Sequence, residues 1–256
     1  MDLIRRLFTA ALVAGVLSGT AASVVQQATT VPLILEAEKY EVVTPPPAPA
    51  GAASAGAATE PHQHGPVREV GEGVPATLGE AVQRMGLTIV SNLLTGVAYA
   101  LLLSAAMLLA GRPVDARRGL VWGAGGFVAM SLAPSFGLPP ELPGMAGADL
   151  ELRQLWWLAA ASGAGVGMAA LAFSRNRFVI TAAVLAAALP HLVGAPHPES
   201  AEGAVPPELA AHFVTAALGA SALFWAILGA ACGWLMSGLV GETDSRPALR
   251  PQPGAR

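Results

Sequence analysis

Long runs of apolar residues are the feature that most constrains how this chain can fold. A helix needs about 20 apolar residues to cross a bilayer core about 30 Å thick, and six candidate runs occur along the sequence. They cover residues 7–25, 86–110, 119–136, 155–173, 178–193 and 209–240; the third and fifth are short, and the last is expected to end near Met236. The sequence therefore predicts an all-α, polytopic membrane helical bundle with about six transmembrane helices.

The composition supports a bundle in lipid rather than a water-soluble core. Only 12% of the residues are charged, against about 25% in soluble domains. Several predicted spans carry two glycines four residues apart, a spacing that allows close helix packing in membranes. These pairs are Gly15 and Gly19, Gly119 and Gly123, Gly163 and Gly167, and Gly229 and Gly233. They predict a compact bundle without indicating its function.

Several functional classes find no support in the sequence. The net charge of −3 gives no argument for nucleic-acid binding. The single cysteine, Cys232, excludes an intrachain disulfide and a cysteine-rich metal site. The sequence contains no Gly-rich phosphate loop ending in Lys-Ser/Thr, no His-Glu-x-x-His motif and no Gly-x-Ser-x-Gly elbow. We therefore do not expect an enzyme.

The arginines and lysines predict the orientation, because basic residues concentrate in short cytoplasmic loops. With a cytoplasmic N-terminus, ten of the 14 basic residues fall inside: Arg5, Arg6, Arg112, Arg117, Arg118, Arg175, Arg177, Arg246, Arg250 and Arg256. Only Lys39, Arg68, Arg84 and Arg153 fall outside. This pattern favours an even number of spans with both termini in the cytoplasm.

The domain boundaries follow from these spans. Residues 1–25 form the first transmembrane helix, 26–80 an outer loop, 81–240 a five-helix membrane bundle and 241–256 a cytoplasmic tail. Within the loop, residues 31–41 have helical spacing and 44–59 are a Pro/Ala-rich linker. The N-terminal run also resembles a signal peptide ending in small residues, and cleavage there would leave five spans. The run is long for a signal peptide, so we expect the helix to be retained.

The histidines carry most of the functional signal. All five lie outside or near the outer ends of helices in this topology: His62, His64, His191, His197 and His212. Imidazole is the commonest protein ligand for divalent Co, Ni, Cu and Zn. His212 is also an ionisable residue within a predicted membrane helix, which marks a functional candidate by default. The alternative is structural, with His62 and His64 as loop filler and His191 and His212 bonded to backbone carbonyls.

Carboxylates accompany the histidines on the predicted outer side. They are Glu60, Glu69, Glu141, Asp149, Glu151, Glu199, Glu202 and Glu208. In the functional interpretation they line the mouth of a cation path. In the alternative they belong to a solvated loop surface. Prolines at positions 190, 196 and 198 are expected to forbid a regular helix through the loop that follows the fifth span and to stiffen it around His191 and His197.

Particular stretches resemble a known family, over nearly the whole chain. They are Arg5-Arg6-Leu7-Phe8, Glu36-Ala37-Glu38-Lys39-Tyr40-Glu41, Ser131-Leu132-Ala133-Pro134, Leu138-Pro139-Pro140-Glu141-Leu142-Pro143-Gly144, Arg153-Gln154-Leu155-Trp156-Trp157, Pro190-His191-Leu192-Val193-Gly194-Ala195-Pro196-His197-Pro198, Val205-Pro206-Pro207-Glu208-Leu209-Ala210 and Phe224-Trp225. With the histidine-bearing first loop, they make the chain resemble the CbtA family of predicted cobalt-transporter subunits.

The resemblance implies cobalt uptake across the bacterial inner membrane, linked to cobalamin synthesis. It also implies a small one-span partner subunit, CbtB, that carries histidines. On this basis cobalt(II) is the transported ion, collected by His62 and His64 and passed to a site near His191, His197 and His212, with no bound organic cofactor. Two alternatives remain at this level. One is a haem-binding membrane anchor with His191 and His212 as axial ligands, and the other is an assembly subunit that binds no metal.

Overall fold

The regular structure of the chain is helical wherever it is described. A computed structural model describes residues 2–41, 78–198 and 204–237. In chain order its elements are α1 (Asp2–Ala28), α2 (Thr30–Glu41), α3 (Leu78–Leu109), α4 (Ala116–Phe127), a π-helical turn (Val128–Leu132), α5 (Ala133–Ser135), α6 (Leu150–Phe173), α7 (Arg177–Val193) and α8 (Pro207–Leu235). The predicted all-α membrane bundle is confirmed.

Each predicted span corresponds to a helical segment. Four helices of the described chain are long and apolar enough to cross a membrane by themselves: Ile4–Ala28, Leu78–Leu109, Leu150–Phe173 and Pro207–Leu235. The fifth predicted span is the shorter apolar helix α7, of 17 residues. The third is a composite, because α4, the π-helical turn and α5 follow one another without a gap.

The helices begin where short polar side chains and proline precede the apolar runs. The Asp115 carboxylate accepts a hydrogen bond from the Arg118 backbone N–H at 2.8 Å, which satisfies one unpaired donor at the start of α4. Asp149 and Asn176 cap α6 and α7 in the same way. Pro207 takes the first position of α8, where no backbone N–H is needed. Local sequence thus sets these helix starts.

Small residues hold the bundle together in antiparallel pairs. A Cβ added at Gly96 of α3 would collide with the Gly15 carbonyl of α1, and one added at Gly119 of α4 would collide with the Gly229 carbonyl of α8. On α6, a Cβ at Gly163 would lie 3.0 Å from the Ala186 carbonyl oxygen of α7. The predicted glycine pairs are therefore the contact surfaces of three helix pairs, because only glycine lets these backbones approach so closely.

Helix α8 lies at the centre of the largest buried cluster. Its side chains pack against small and apolar residues from α1 and α3. The members are Ala10, Ala11, Ala14, Ala100, Leu103, Met107, Val114, Trp225, Leu228, Cys232 and Met236. Trp225 also stacks near Tyr99, with ring centres 4.9 Å apart. The α6–α7 hairpin packs beside this centre, against the π-helical turn and α5.

The helical spacing of 31–41 predicts a helix, and α2 is that helix. It covers one end of the bundle. Its Ala37 is buried against Leu142 and Phe213. The Arg84 guanidinium pairs with the Glu38 carboxylate at 2.5 Å and ties α2 to the start of α3. This α2 end also contains the loop at 136–149 and the described loop residues 194–198 and 204–206, whereas the opposite, basic end contains the loops at 110–115 and 174–176.

Candidate functional site

Two of the predicted histidines share a pocket at the α2 end of the bundle. This histidine pocket, of about 650 Å³, is lined by Val128, Leu132, Ala133, Phe136, Gly137, Trp156, Ala164, Val184, Ala187, Ala188, His191, Gly194, Ala195 and His197. Trp156 anchors one wall, because its indole N–H donates to the Pro190 carbonyl at 3.0 Å. The sequence predicted that His191 and His197 are held together, and the pocket brings them onto one surface.

The His191 imidazole packs against two aromatic rings and remains exposed. Its imidazole stands edge-on to Trp156, with ring centres 5.4 Å apart, and to Phe136, at 6.5 Å. Helix α7 continues through Pro190 to Val193, so this proline does not begin the loop; Gly194, with φ 90°, ends the helix instead. Helix α7 therefore ends at Val193, where the fifth span was predicted to end. His191 consequently lies on the last turn of α7 and His197 on the loop.

The other predicted ligands lie elsewhere. His212 is exposed on the second turn of α8, next to Phe213, and is not among the residues that line the histidine pocket. His62 and His64, with Glu60 and Glu69, fall outside the described residues, as do Glu199 and Glu202. In the described ranges, no three His, Cys, Asp or Glu side chains come together as a group that could hold a metal ion.

A break in helical geometry lies between the histidine pocket and α8. Pro134 has no backbone N–H, and its ring would clash with the carbonyl of Met130 in a regular α-helix. The chain widens here instead, and the Ala133 N–H bonds the Val128 carbonyl five residues back. π-helical turns of this kind are rare and are often found at functional sites.

Hydroxyl groups gather at this break. The Ser131 and Ser221 hydroxyl oxygens are 2.8 Å apart, which links the π-helical turn to α8. The Trp225 indole N–H donates to the Ser131 hydroxyl at 3.3 Å, and the Ser135 hydroxyl donates to the Ser131 carbonyl at 2.6 Å. Four residues thus form a connected polar network among apolar helices.

This network lines a second pocket of about 650 Å³, here called the serine pocket. Its lining is Met130, Ser131, Pro134, Ser135, Leu138, Pro139, Pro140, Glu141, Leu150, Arg153, Gln154, Trp157, Leu158, Ala217, Leu218 and Ser221. Glu141 and Arg153 also line it, and the Arg153 guanidinium meets the Glu141 carboxylate at 2.6 Å. The two charges are partly buried and neutralise one another, which reduces the cost of placing them beside apolar surface.

Sequence reasoning missed the serine pocket. It considered Glu141 as one of several carboxylates at the mouth of a cation path, did not pair it with Arg153, and gave no role to Ser131 or Ser221. The available signal was Pro134 within an apolar run, because proline inside a helix forces a local rearrangement. Asp149 caps α6, so its carboxylate has a structural role at the start of that helix.

Comparison with known proteins identifies the family. The family model described as "Probable cobalt transporter subunit (CbtA)" matches residues 4–237, which includes all the described helices except the first two residues of α1. Neither the curated proteins nor the solved structures give a significant match. The resemblance drawn from the sequence is confirmed, and the chain belongs to the CbtA family of probable cobalt transporter subunits.

Proposed function

We propose that this chain is the membrane subunit of a cobalt(II) uptake transporter, with its α2 end outside the bacterial inner membrane and both termini in the cytoplasm. It would act with a small one-span subunit, CbtB, and without enzymatic activity of its own. Family membership supports cobalt as the cargo. The observation that carries the proposal is a pocket with three serines and an ion pair, lined by a broken helix, at the same end of the bundle as the two pocket histidines.

The first step is collection of cobalt(II) by imidazole. His62 and His64 would take the ion from the outer solution and pass it to His191 and His197, with His212 nearby on α8. His191 and His197 line one pocket and are exposed, so an ion can reach them without unfolding the site. A pair of imidazoles binds more weakly than a closed cage. Weak binding suits transport, because an ion that binds too tightly cannot leave.

The second step is passage through the serine pocket. Broken membrane helices offer backbone carbonyls to cations in many transporters, and the π-helical turn lies next to the Ser131 and Ser221 hydroxyls. Glu141 supplies a carboxylate, which pairs with the Arg153 guanidinium. A cobalt ion arriving at Glu141 would displace Arg153, so that the pair remains neutral until the cargo arrives.

Radioactive cobalt uptake tests the whole proposal. The chain is expressed, with and without the one-span partner, in bacteria that lack their own cobalt importers, with nickel and zinc as competitors. We expect uptake that requires this chain and resists excess nickel and zinc. No uptake, with folded protein present beside its partner, would overturn the proposal. A Soret band in the purified protein would then favour the haem anchor, and cobalt uptake by the partner alone would favour an assembly subunit.

The histidine route is tested by replacing His191, His197 and His212 with Gln together. We expect uptake to fall at least about tenfold, because neutral amides are poor ligands for a divalent transition metal. All three side chains are exposed, so the elution profile and the melting temperature of the variant should match those of the wild type and serve as the control for folding. Unchanged uptake in this variant would contradict the route.

The serine pocket is tested by a sulfur-for-oxygen exchange. Ser131→Cys and Ser221→Cys place a soft ligand on the proposed path, so we expect cadmium to inhibit cobalt uptake at a concentration about tenfold lower than in the wild type. Ser162→Cys is the matched control, because Ser162 is exposed on α6 outside both pockets. Equal cadmium sensitivity in all three variants would remove the serine pocket from the path while leaving cobalt transport intact.

A further inference from the structure

A third cavity opens at the basic end of the bundle. This basic groove, of about 890 Å³, lies between α3, α4 and α6, and its lining includes Leu103, Arg112, Arg118, Trp122, Gly165 and Phe173. The described lining contains no Asp or Glu and is otherwise apolar. The groove is therefore an apolar surface with two positively charged side chains at one end.

Glycines leave the groove open. A Cβ added at Gly125 of α4 or at Gly165 of α6 would meet no atom within 4 Å. These two glycines contrast with Gly119 and Gly123 on the other face of α4, where an added Cβ would collide with α8. The absence of side chains at Gly125 and Gly165 thus leaves space that no described residue fills, rather than a contact with a neighbouring helix of the bundle.

The two arginines at the mouth keep donors available. The Arg112 guanidinium carbon lies 4.8 Å from the centre of the Phe173 ring, a cation–π contact that uses the face of the group and none of its N–H hydrogen bonds. Arg118 donates one N–H to the Pro113 carbonyl at 2.6 Å, and its Nε is 3.9 Å from the Asp115 carboxylate. A guanidinium has five N–H donors, so both groups retain donors for a phosphate.

The depth of the groove matches one leaflet of a bilayer. From Arg118 to Val128, which both line it, the chain rises about 15 Å at 1.5 Å per residue. That is about half of a hydrocarbon core of about 30 Å. A transmembrane helix would contact the bundle over its full height, whereas an acyl chain of one leaflet ends at this depth.

We propose that the basic groove is a binding site for an anionic phospholipid of the leaflet at that end of the bundle. The phosphate lies between Arg112 and Arg118, and an acyl chain follows Trp122, Gly125 and Gly165 toward Val128. Basic pockets between membrane helices bind acidic headgroups by this combination of charge and apolar surface. The site is independent of the cobalt route.

Lipid titration of the purified full chain tests the proposal. We expect dioleoyl phosphatidylglycerol to bind and to raise the melting temperature more than dioleoyl phosphatidylcholine. Arg112→Gln should weaken phosphatidylglycerol binding about fivefold, and Arg112→Gln with Arg118→Gln about 30-fold. The matched control is Arg175→Gln with Arg177→Gln, which removes the same charge at the same end outside the groove. An equal loss in both double variants would overturn the site.

Gly165→Leu tests the groove without changing charge and guards against misfolding of the arginine variants. The added side chain meets open space in the groove, so we expect normal folding but loss of phosphatidylglycerol selectivity. Gly219→Leu, which also meets no atom within 4 Å, is the control on α8. Three results would overturn the proposal. One is unchanged phosphatidylglycerol selectivity in Gly165→Leu, and the second is equally tight binding of glycerophosphoglycerol, which has no acyl chains. The third is a Gly165→Leu variant that loses a co-purifying one-span subunit but keeps the lipid, because the groove would then hold a helix.

Discussion

Gly119 and Gly125 lie on the same helix but face different surroundings. A Cβ on Gly119 would collide with the Gly229 carbonyl and lie 2.9 Å from the Gly233 Cα, and these backbone atoms cannot rotate away. We expect Gly119→Ala to lower the free energy of unfolding by about 1–3 kcal/mol through overpacking. Reversible unfolding in mixed micelles measures it. Gly125→Ala is the control and should be neutral or stabilising by up to about 1 kcal/mol, because alanine is the better helix former.

Equal stability of the two alanine variants would contradict the close approach of α4 and α8. The comparison also defines what residue spacing can predict. The pairs on α1, α4, α6 and α8 followed from glycines four residues apart, but Gly96, which faces Gly15 from α3, has no glycine partner at that spacing. The spacing of residues describes the faces of a single helix, whereas a contact depends on which second helix packs against that face. For the same reason, residue spacing could not separate His212 from the pocket that contains His191 and His197.

Helix α1 is built into the bundle, and we predict that it is retained in the mature protein. The helix runs without a break through the small residues that resemble a cleavage site. Ser23 among them is buried, and its hydroxyl accepts a hydrogen bond from the Asn92 amide at 3.0 Å. Removing α1 would expose the core face of α3. The intact mass of the purified protein, or an epitope at the N-terminus, checks this.

Asn92→Leu probes the same interface. It removes the hydrogen bonds from the Asn92 amide to Ser23 and to Gln26. We expect the loss of each bond to lower the free energy of unfolding by about 0.6 kcal/mol, and by at most about 1.7 kcal/mol. The Asn176 side chain caps α7 at the opposite end of the bundle, so it cannot replace the contact that Asn92 makes with α1. A mature protein that begins after Ser23 and is still active would contradict the prediction for α1 and leave a bundle with five spans.

At the scale of elements, the sequence predicted the apolar helices well and their interruptions poorly. The apolar runs place α6 and α7 within a few residues, because length and hydropathy alone specify a membrane helix. The run at 119–136 contains the π-helical turn, whose wider geometry leaves the apolar pattern unchanged. Helix α3 begins at Leu78, eight residues before the predicted 86. Its first turns are held by the ion pair from Arg84 to Glu38 on α2, a contact between distant segments that spacing cannot predict.

The two ends of the whole molecule differ in how their basic residues are used. At the α2 end the described basic residues are paired with carboxylates: Lys39 with Glu36, Arg84 with Glu38 and Arg153 with Glu141. At the other end Arg112 and Arg177 lie over the Phe173 and Phe178 rings, and the Arg118 Nε is 3.9 Å from the Asp115 carboxylate. Arginines in short loops hold a membrane protein's cytoplasmic side in place, so we expect the loops at 110–115 and 174–176 to be cytoplasmic.

Reporter fusions test this orientation. Alkaline phosphatase, which is active only outside the cytoplasm, should be active when fused after Gly144 and inactive after Arg112, while a fluorescent protein at the C-terminus should fluoresce. Replacing Arg112, Arg117 and Arg118 with Gln weakens the bias, so some molecules should insert the other way and show phosphatase activity after residue 112. Replacing Lys39, Arg84 and Arg153 is the matched control and should leave the orientation unchanged. Phosphatase activity after Arg112 in the unaltered chain would mean that the bundle has the opposite orientation. The histidine pocket and the serine pocket would then lie on the cytoplasmic side, where they would serve the release of cobalt rather than its collection.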